Sequence, residues 1–481
     1  MIFDEVAGGY FCIFVNESQD ESKKEQMTLI LRYVKNDGLL GERFFDIMGV
    51  ENTSALTLKK EISNILSRFN LLIQNMGCQG YDGASNMRGE WNGLQPLFLK
   101  DCPYAYYVHC FAHRLQLALI AAAKDEPNVW QFFSHLSCTV NLVASSPKRL
   151  GELKSFHRSE VENMLASGER QFVVESLKKS TNQQIRRQAN GVYKVMKSFE
   201  FIFVLYLMDN ILRIVNTLCQ VLQQKTQDIL NAMKLVSTTK ALIQKLRQDD
   251  WDIFLANVVS FCNRHNIAVH DMSSPYEEGT SRRHQQDYIT IEHHYHFDIF
   301  NSTIDFQLIE LEHRFNDGVV ELLSLSSTLD PSGNLRSFNV DNICNLAEKF
   351  YSQDFTSQDI HALRCQLMHY KLDVVCDPEF HKISTLAELC RELFVTRKFE
   401  HYSMIYKLIR LMSTLPVSTA TTERAFSSMK HVKIAIRNSM GDEFFANCLS
   451  LYLEQDLTLK IDLDSVIDEF ESLKTHRAQL C

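Results

Sequence analysis

Residues 77–119, GCQGYDGASNMRGEWNGLQPLFLKDCPYAYYVHCFAHRLQLAL, decide how the chain is read. The opening Gly77-Cys78-Gln79-Gly80 is rich in turn formers and leads into Tyr81-Asp82-Gly83-Ala84-Ser85-Asn86-Met87. Gly80 and Gly83 flank Asp82, so the backbone can bend tightly around a carboxylate. A helix is predicted from Ala84 or Ser85, carrying Met87, Leu94 and Leu97 inward. The run 104–108, YAYYV, is aromatic and apolar and predicts a buried strand. That strand delivers His109, Cys110 and His113 to the head of a helix predicted over Arg114 to Ala123. An acid on a glycine-flanked turn, followed by Cys-x-x-His after the next strand, is a constellation rather than a lone motif.

Toward the N-terminus, Gly9 to Val15, Gln26 to Val34 and Glu42 to Val50 each predict a strand. Asn36-Asp37-Gly38 supplies a hairpin turn between the second and third. Ile62, Ile65, Leu66 and Phe69 fall at helical spacing. A short strand over Leu71 to Met76 is then expected, leading to Asp82. Toward the C-terminus, from about Phe132 to Leu411, the pattern is helical. Ile304, Leu308, Leu311 and Phe315 make one apolar stripe, and Leu212, Val215, Leu218 and Leu222 another; such stripes read as core. Residues 271–287, DMSSPYEEGTSRRHQQD, predict a mobile loop. Its Arg282, Arg283 and His284 read as a solvated run that could touch phosphate. His293-His294-Tyr295-His296 lacks a Cys or carboxylate at ligand spacing and reads as a polar helix edge.

Composition narrows the classes. With 481 residues and 45% hydrophobic content the chain can bury large cores, and 23% charged residues with 8 prolines argue against extensive disorder. A net charge of −9 does not advertise a phosphate-binding surface. The 13 cysteines include no Cys-x-x-Cys pair, which argues against a zinc ribbon, and their irregular spacing reads as reduced thiols. The N-terminus lacks the regions of a signal peptide, and the most apolar run, Phe201 to Met208, is too short to span a bilayer. An intracellular protein, nuclear or cytoplasmic, is expected; Lys178-Lys179 and Arg186-Arg187 are weak localisation signals.

Residues 78–87, CQGYDGASNM, and 108–117, VHCFAHRLQL, closely resemble the hAT-superfamily transposase-derived proteins of plants. These are often called zinc-finger MYM-type-1-like or TTF-type zinc-finger proteins. Residues 415–430, LPVSTATTERAFSSMK, with 437–444, RNSMGDEF, are similar to the family's C-terminal dimerisation signature, and the likeness extends over nearly the whole chain. It implies an α/β core of RNase H-like type with a mixed sheet, interrupted by a large, mostly α-helical insertion, in an α-rich whole. The expected divisions are 1–131 for the first part of the core, 132–384 for the insertion, and 385–481 for the rest of the core and the dimerisation region. The resemblance implies self-association, as a homodimer or with related hAT-like proteins, through Leu415, Pro416, Phe426, Met429, Phe445, Leu449 and Tyr452. On periodicity alone the two tail helices read as core.

The family's chemistry is strand cutting by two divalent cations held by three carboxylates, with Mg²⁺ or Mn²⁺ suited to such oxygen ligands. The second carboxylate resembles Asp82 and the third Glu423. The first should be the Asp of a Val-Asp-Glu-Ser/Thr element, which here reads Val15-Asn16-Glu17-Ser18. An amide at Asn16 carries no charge, Glu17 points to the opposite face of a strand, and Asp20 lies past its end. Two further departures accompany this. A D-T-R-W-x-S-H element is missing between Arg170 and Lys197, Trp91, Trp130 and Trp251 standing elsewhere. No Cys/His module of BED or TTF type precedes the first strand in this sequence. The expectation is a domesticated or decayed transposase-like protein, not an enzyme and without a cofactor. Asp82 would then be a turn residue and Glu423 a first-turn charge, while Cys110 and His113 pack a helix start on the sheet. An active metal-dependent nuclease, and a regulatory module that dimerises with full-length relatives, are the alternatives.

Overall fold

The computed structural model describes residues 2–6, 9–20, 23–89, 92–145, 147, 151, 183–225, 227–276, 289–315, 320–331, 335–433 and 440–473. Trp91, Lys178, Lys179, Arg282, Arg283, His284, Ile436 and positions 437–439 lie outside the described residues. The chain divides into two units: residues 1–114, 219–234 and 317–481 form the first, residues 115–218 and 235–316 the second. The insertion is therefore narrower than the 132–384 read from the sequence. Residues 340–384 pack with the sheet, because the Tyr106 hydroxyl donates to Phe350 O at 2.6 Å and Tyr10 donates to Asp354.

The first unit is built on five strands: β1 (Phe11–Gln19), β2 (Glu25–Val34), β3 (Leu40–Gly49), β4 (Met76–Tyr81) and β5 (Tyr106–His109). Their order is β3-β2-β1-β4-β5. β1, β2 and β3 are antiparallel, and β4 and β5 run parallel to β1. A tight turn, with Lys35 N donating to Leu39 O at 2.8 Å, closes the β2–β3 hairpin where Asn36-Asp37-Gly38 predicted it. β1 and β2 are buried on both faces, which is why they read as continuous apolar runs rather than as alternation. One face, carrying Phe11, Ile13 and Val15, packs on α1 (Ala55–Arg68) and α2 (Leu94–Asp101) through Leu58, Ile62, Leu66 and Phe98. Helices from the end of the chain cover the other face.

Two expectations are corrected here. Of residues 71–76 only Met76 is in a strand, as the first residue of β4: Ile73–Asn75 is a single 3₁₀ turn and Leu72 is exposed. The fourth strand is the Gly77–Gly80 stretch read as turn-rich. Gly80 sits in it for packing rather than bending: a Cβ there would stand 3.1 Å from both the Phe14 ring and Pro416. The predicted helix after Asp82 is two short pieces, Ser85–Arg88 and Leu94–Asp101, and Met87, Leu94 and Leu97 are buried as expected.

The second unit is helical among its described residues, with Pro127–Ala144, Gln183–Met196, Trp251–Arg264 and Ser302–Phe315 among its elements. Its centre is aromatic: Phe203 lies 5.1 Å from Phe254 and 4.8 Å from Tyr295, and Phe254 lies 4.9 Å from Phe300, centroid to centroid. Ile304, Leu311 and Phe315 are buried as their stripe predicts, but Leu212 is exposed. The apolar run at 201–208 belongs to a longer helix, Phe199–Leu222, which by length and composition alone could cross a membrane. Many of its side chains, Phe203, Leu207 and Ile211 among them, are fully buried inside the fold, as in a core helix. His296 stacks on Trp251 at 4.1 Å and His294 on Tyr276 at 3.8 Å, so these rings pack rather than converge.

Candidate functional site

The parallel register of β1 and β4 pairs Phe14 with Gly80. Asn16 and Asp82 each lie two residues beyond this last pair, Asn16 within β1 and Asp82 just past the end of β4. β5 ends one strand further along. Cys110 N donates to Tyr81 O at 3.1 Å and Phe111 N to Val417 O at 2.9 Å. The Cys110 sulfur accepts from Thr419 N at 3.3 Å and approaches Ser418 Oγ at 3.8 Å. Cys110 therefore joins the sheet edge to the segment that opens α3 (Ala420–Val432). His113 takes no part in this junction; its ring lies 5.6 Å from that of His109.

α3 is pinned at both ends. Thr421 Oγ1 donates to Glu42 Oε2 at 2.7 Å, and Glu42 pairs with Arg32 at 2.6 Å. Arg32 also donates to the main-chain oxygens of Ser413, Lys225 and Gln227, so one buried guanidinium ties two distant segments to β2. Past the far end, Lys433 Nζ pairs with Asp20 Oδ2 at 2.6 Å, both side chains almost fully buried. Because Arg32 is registered with Cys12 on β1 and Asp20 ends that strand, α3 lies lengthwise over β1 and β2. Glu423, in its first turn, stands on the same side of the sheet as Asn16 and is exposed.

The acids are committed differently. Asn16 Oδ1 accepts from Glu17 N at 2.9 Å, and Asp82 Oδ1 accepts from Ala84 N at 3.1 Å, the local turn bond expected of a turn aspartate. Asp20 is consumed by Lys433. Glu17 does point to the opposite face, where Asn86 Nδ2 donates to both its oxygens at 3.1 and 3.2 Å and to Thr53 O at 2.8 Å. Burial pushes the Glu17 carboxyl up to about 7; the Asn86 hydrogen bond opposes this, and the charges of Asp82 and Glu25 add to it. Sequence reasoning weighed Glu17 only as a substitute ligand and missed its pairing with Asn86. Only the fold reveals it. Gly83 is required by close approach rather than by bending: a Cβ there would fall 2.7 Å from the His109 ring.

The donor set does not fit a pair of divalent cations. Two separate carboxylates and an amide already bonded to its neighbour's N–H supply less charge than two hard cations require. Among the described residues no three His, Cys, Asp or Glu side chains gather as a metal-ligand group.

Six of the seven positions named for self-association are buried within the single chain. Leu415, Pro416, Phe426, Met429, Phe445 and Leu449 are buried in the first unit, and of the seven only Tyr452 is exposed. The reason is the edge strand. α4 (Asp442–Leu453) packs on β3 through Phe445 and Leu449, and just beyond it Glu454 accepts from Phe44 N at 2.7 Å and pairs with Arg43 at 2.7 Å. The apolar surface left outward is different: Phe444, Leu451, Leu459, Leu463, Val466 and Ile467 are all exposed.

Comparison with known proteins accords with this geometry. Residues 1–93 match the family described as "ZMYM1/FAM200, RNase-like domain", and residues 393–457 match the "hAT family C-terminal dimerisation region". The chain is also similar to the "52 kDa repressor of the inhibitor of the protein kinase" of Mus musculus, 21% identical over 514 residues that cover 98% of this chain. The Homo sapiens protein of the same name is 21% identical over 513 residues. The chain spans 65% of the length of each of these relatives.

Proposed function

We propose that this protein is a domesticated hAT transposase-like chain with an RNase H-like core, which self-associates through its C-terminal helices and does not cut DNA. The observation that carries the self-association is α5 (Leu463–Leu473), whose residues 463–472 are all exposed. Leu463, Val466 and Ile467 make an apolar stripe on it. An isolated helix of this length is marginal in water, so a second copy of the chain supplies the missing surface. The stripe continues through Leu459, Leu451 and Phe444 into the segment that matches the dimerisation region.

Light scattering coupled to size exclusion tests this. The full chain is expected at twice its monomer mass, and Leu463→Asp with Val466→Asp and Ile467→Asp at monomer mass with unchanged circular dichroism. A wild-type monomer across micromolar concentrations would sink the dimer. Cutting the chain at Thr385 is a poor test, because residues 385–453 cover the sheet. A mixed complex with a full-length relative, in place of the homodimer, would make the protein a regulatory partner of such relatives.

The absence of strand cutting rests on Asn16 and on the commitments of Glu17 and Asp20. Hairpin or nicked DNA incubated with Mn²⁺ is expected to remain intact. Cleavage that disappears in Asp82→Ala would establish a nuclease. A nuclear or cytoplasmic location belongs to the same reading, and the twelve free cysteines among the described residues accord with it.

A further inference from the structure

The apolar stripe of α5 is edged by charge of one sign. Residues 459–473 carry five acids, Asp462, Asp464, Asp468, Glu469 and Glu471, and one base, Lys460, which precedes the helix. All are exposed. Asp464 and Glu471, two turns apart, flank one side of the Leu463, Val466 and Ile467 stripe, and Asp462 and Glu469 flank the other. The outward surface of α4 repeats the sign, because Phe444 follows the exposed Asp442 and Glu443.

The helix has no use of its own for all of these charges. Asp462 accepts from Asp464 N and Ser465 N at 3.3 Å, capping the first turn, where negative charge also suits the helix dipole. Glu469 and Glu471 stand in the C-terminal half, where the dipole disfavours them, and the last turn holds no basic residue. No basic side chain among the described residues pairs with Asp464, Glu469 or Glu471. A two-fold axis sets the same face of both copies together. With the helices antiparallel, each rim meets the same rim of the other copy; with them parallel, it meets the opposite rim. Either direction places acid against acid across an interaxial distance of about 8–10 Å.

We infer that ionic strength regulates the association: the α5 stripe drives two copies together, its own acidic rims oppose them, and screening by salt lets the dimer form. This rests on the self-association proposed above and adds the sign of its salt dependence. The screening length is about 10 Å at about 0.1 M salt and about 3 Å at about 1 M, so that range of salt removes most of the repulsion between the rims.

Sedimentation equilibrium of the full chain in sodium chloride at about 0.1 M and about 1 M tests this. The dissociation constant of the wild-type dimer is expected to fall roughly fivefold to tenfold with salt. Asp464→Asn with Glu469→Gln and Glu471→Gln keeps the stripe and removes its charged rims. At the lower salt this variant should dimerise at least roughly fivefold more tightly than wild type, and salt should change it less than about twofold. The comparison separates screening from the general effect of salt on apolar burial, which both chains share. A wild-type dimer that loosens with salt overturns the proposal and sets the stripe against a basic surface. A neutralised variant with wild-type affinity at the lower salt also overturns it, and in either case the self-association itself stands. A wild-type chain that is monomeric at both salt concentrations removes the self-association and this regulation together.

Discussion

Glu17 shows how one side chain couples the strand to pH. Its carboxyl is raised from the ordinary 4.5 to about 7, with burial the largest cause. Between those two values the folded chain holds more protons than the unfolded one, so this group's contribution falls as pH rises through about 7. Glu17→Gln keeps an oxygen for Asn86 and removes the titration. The variant should be more stable than wild type at pH 8 by about 1–2 kcal/mol, after allowing for solvent at a partly exposed group. Its urea midpoint should vary less between pH 4.5 and 7; parallel wild-type and variant profiles would count against the assignment. Gly83 makes a steric claim at the same scale. Gly83→Ala places a methyl against the His109 ring, which must shift, at a cost of about 1–3 kcal/mol in chemical denaturation. His109→Ala in the same chain should recover part of that loss.

Among elements, α3 is held over the sheet by a hydrogen bond from Thr421 to the buried Glu42 at its start and by the buried Lys433–Asp20 ion pair just past its end. Lys433→Ala would leave Asp20 charged and buried, at a cost of about 3–5 kcal/mol by equilibrium unfolding. A loss below about 1 kcal/mol would show that apolar packing alone seats the helix. The start of α3 was legible to within a residue or two, because Pro416 and Ser418 break the preceding helix and the sequence places the next near Thr421 or Thr422, against Ala420 in the structure. Its burial was legible too, since Ala425, Phe426 and Met429 recur at helical spacing. Its partners were not: Thr421 with Glu42 and Lys433 with Asp20 are each about 400 positions apart or nearly so, and no local pattern encodes such pairs. β4 was misplaced for a related reason. Gly77 and Gly80 look like turn residues locally, whereas the approach of Phe14 and Pro416 makes Gly80 a strand residue.

For the whole molecule, the exposed stripe at 459–467 sets a concentration dependence. If burying it against a second copy is part of the folded state, the melting temperature should rise with protein concentration over about a hundredfold range. The triple aspartate variant should show no such rise. A wild-type melting temperature independent of concentration would place the stripe against some other surface.

The sequence alone determined the first three strands and the helix after them, the strand before His109 and the helix after it, the acidic position at Asp82, the missing charge at Asn16 and the amphipathic tail. Each of these is written in neighbouring residues through periodicity, turn chemistry and side-chain type. Only the tertiary structure decided which apolar residues of the tail cover β3 and which face outward, which acids are already paired, and how far the insertion extends. Those outcomes depend on contacts between residues hundreds of positions apart, where burial and charge pairing are settled by the whole fold.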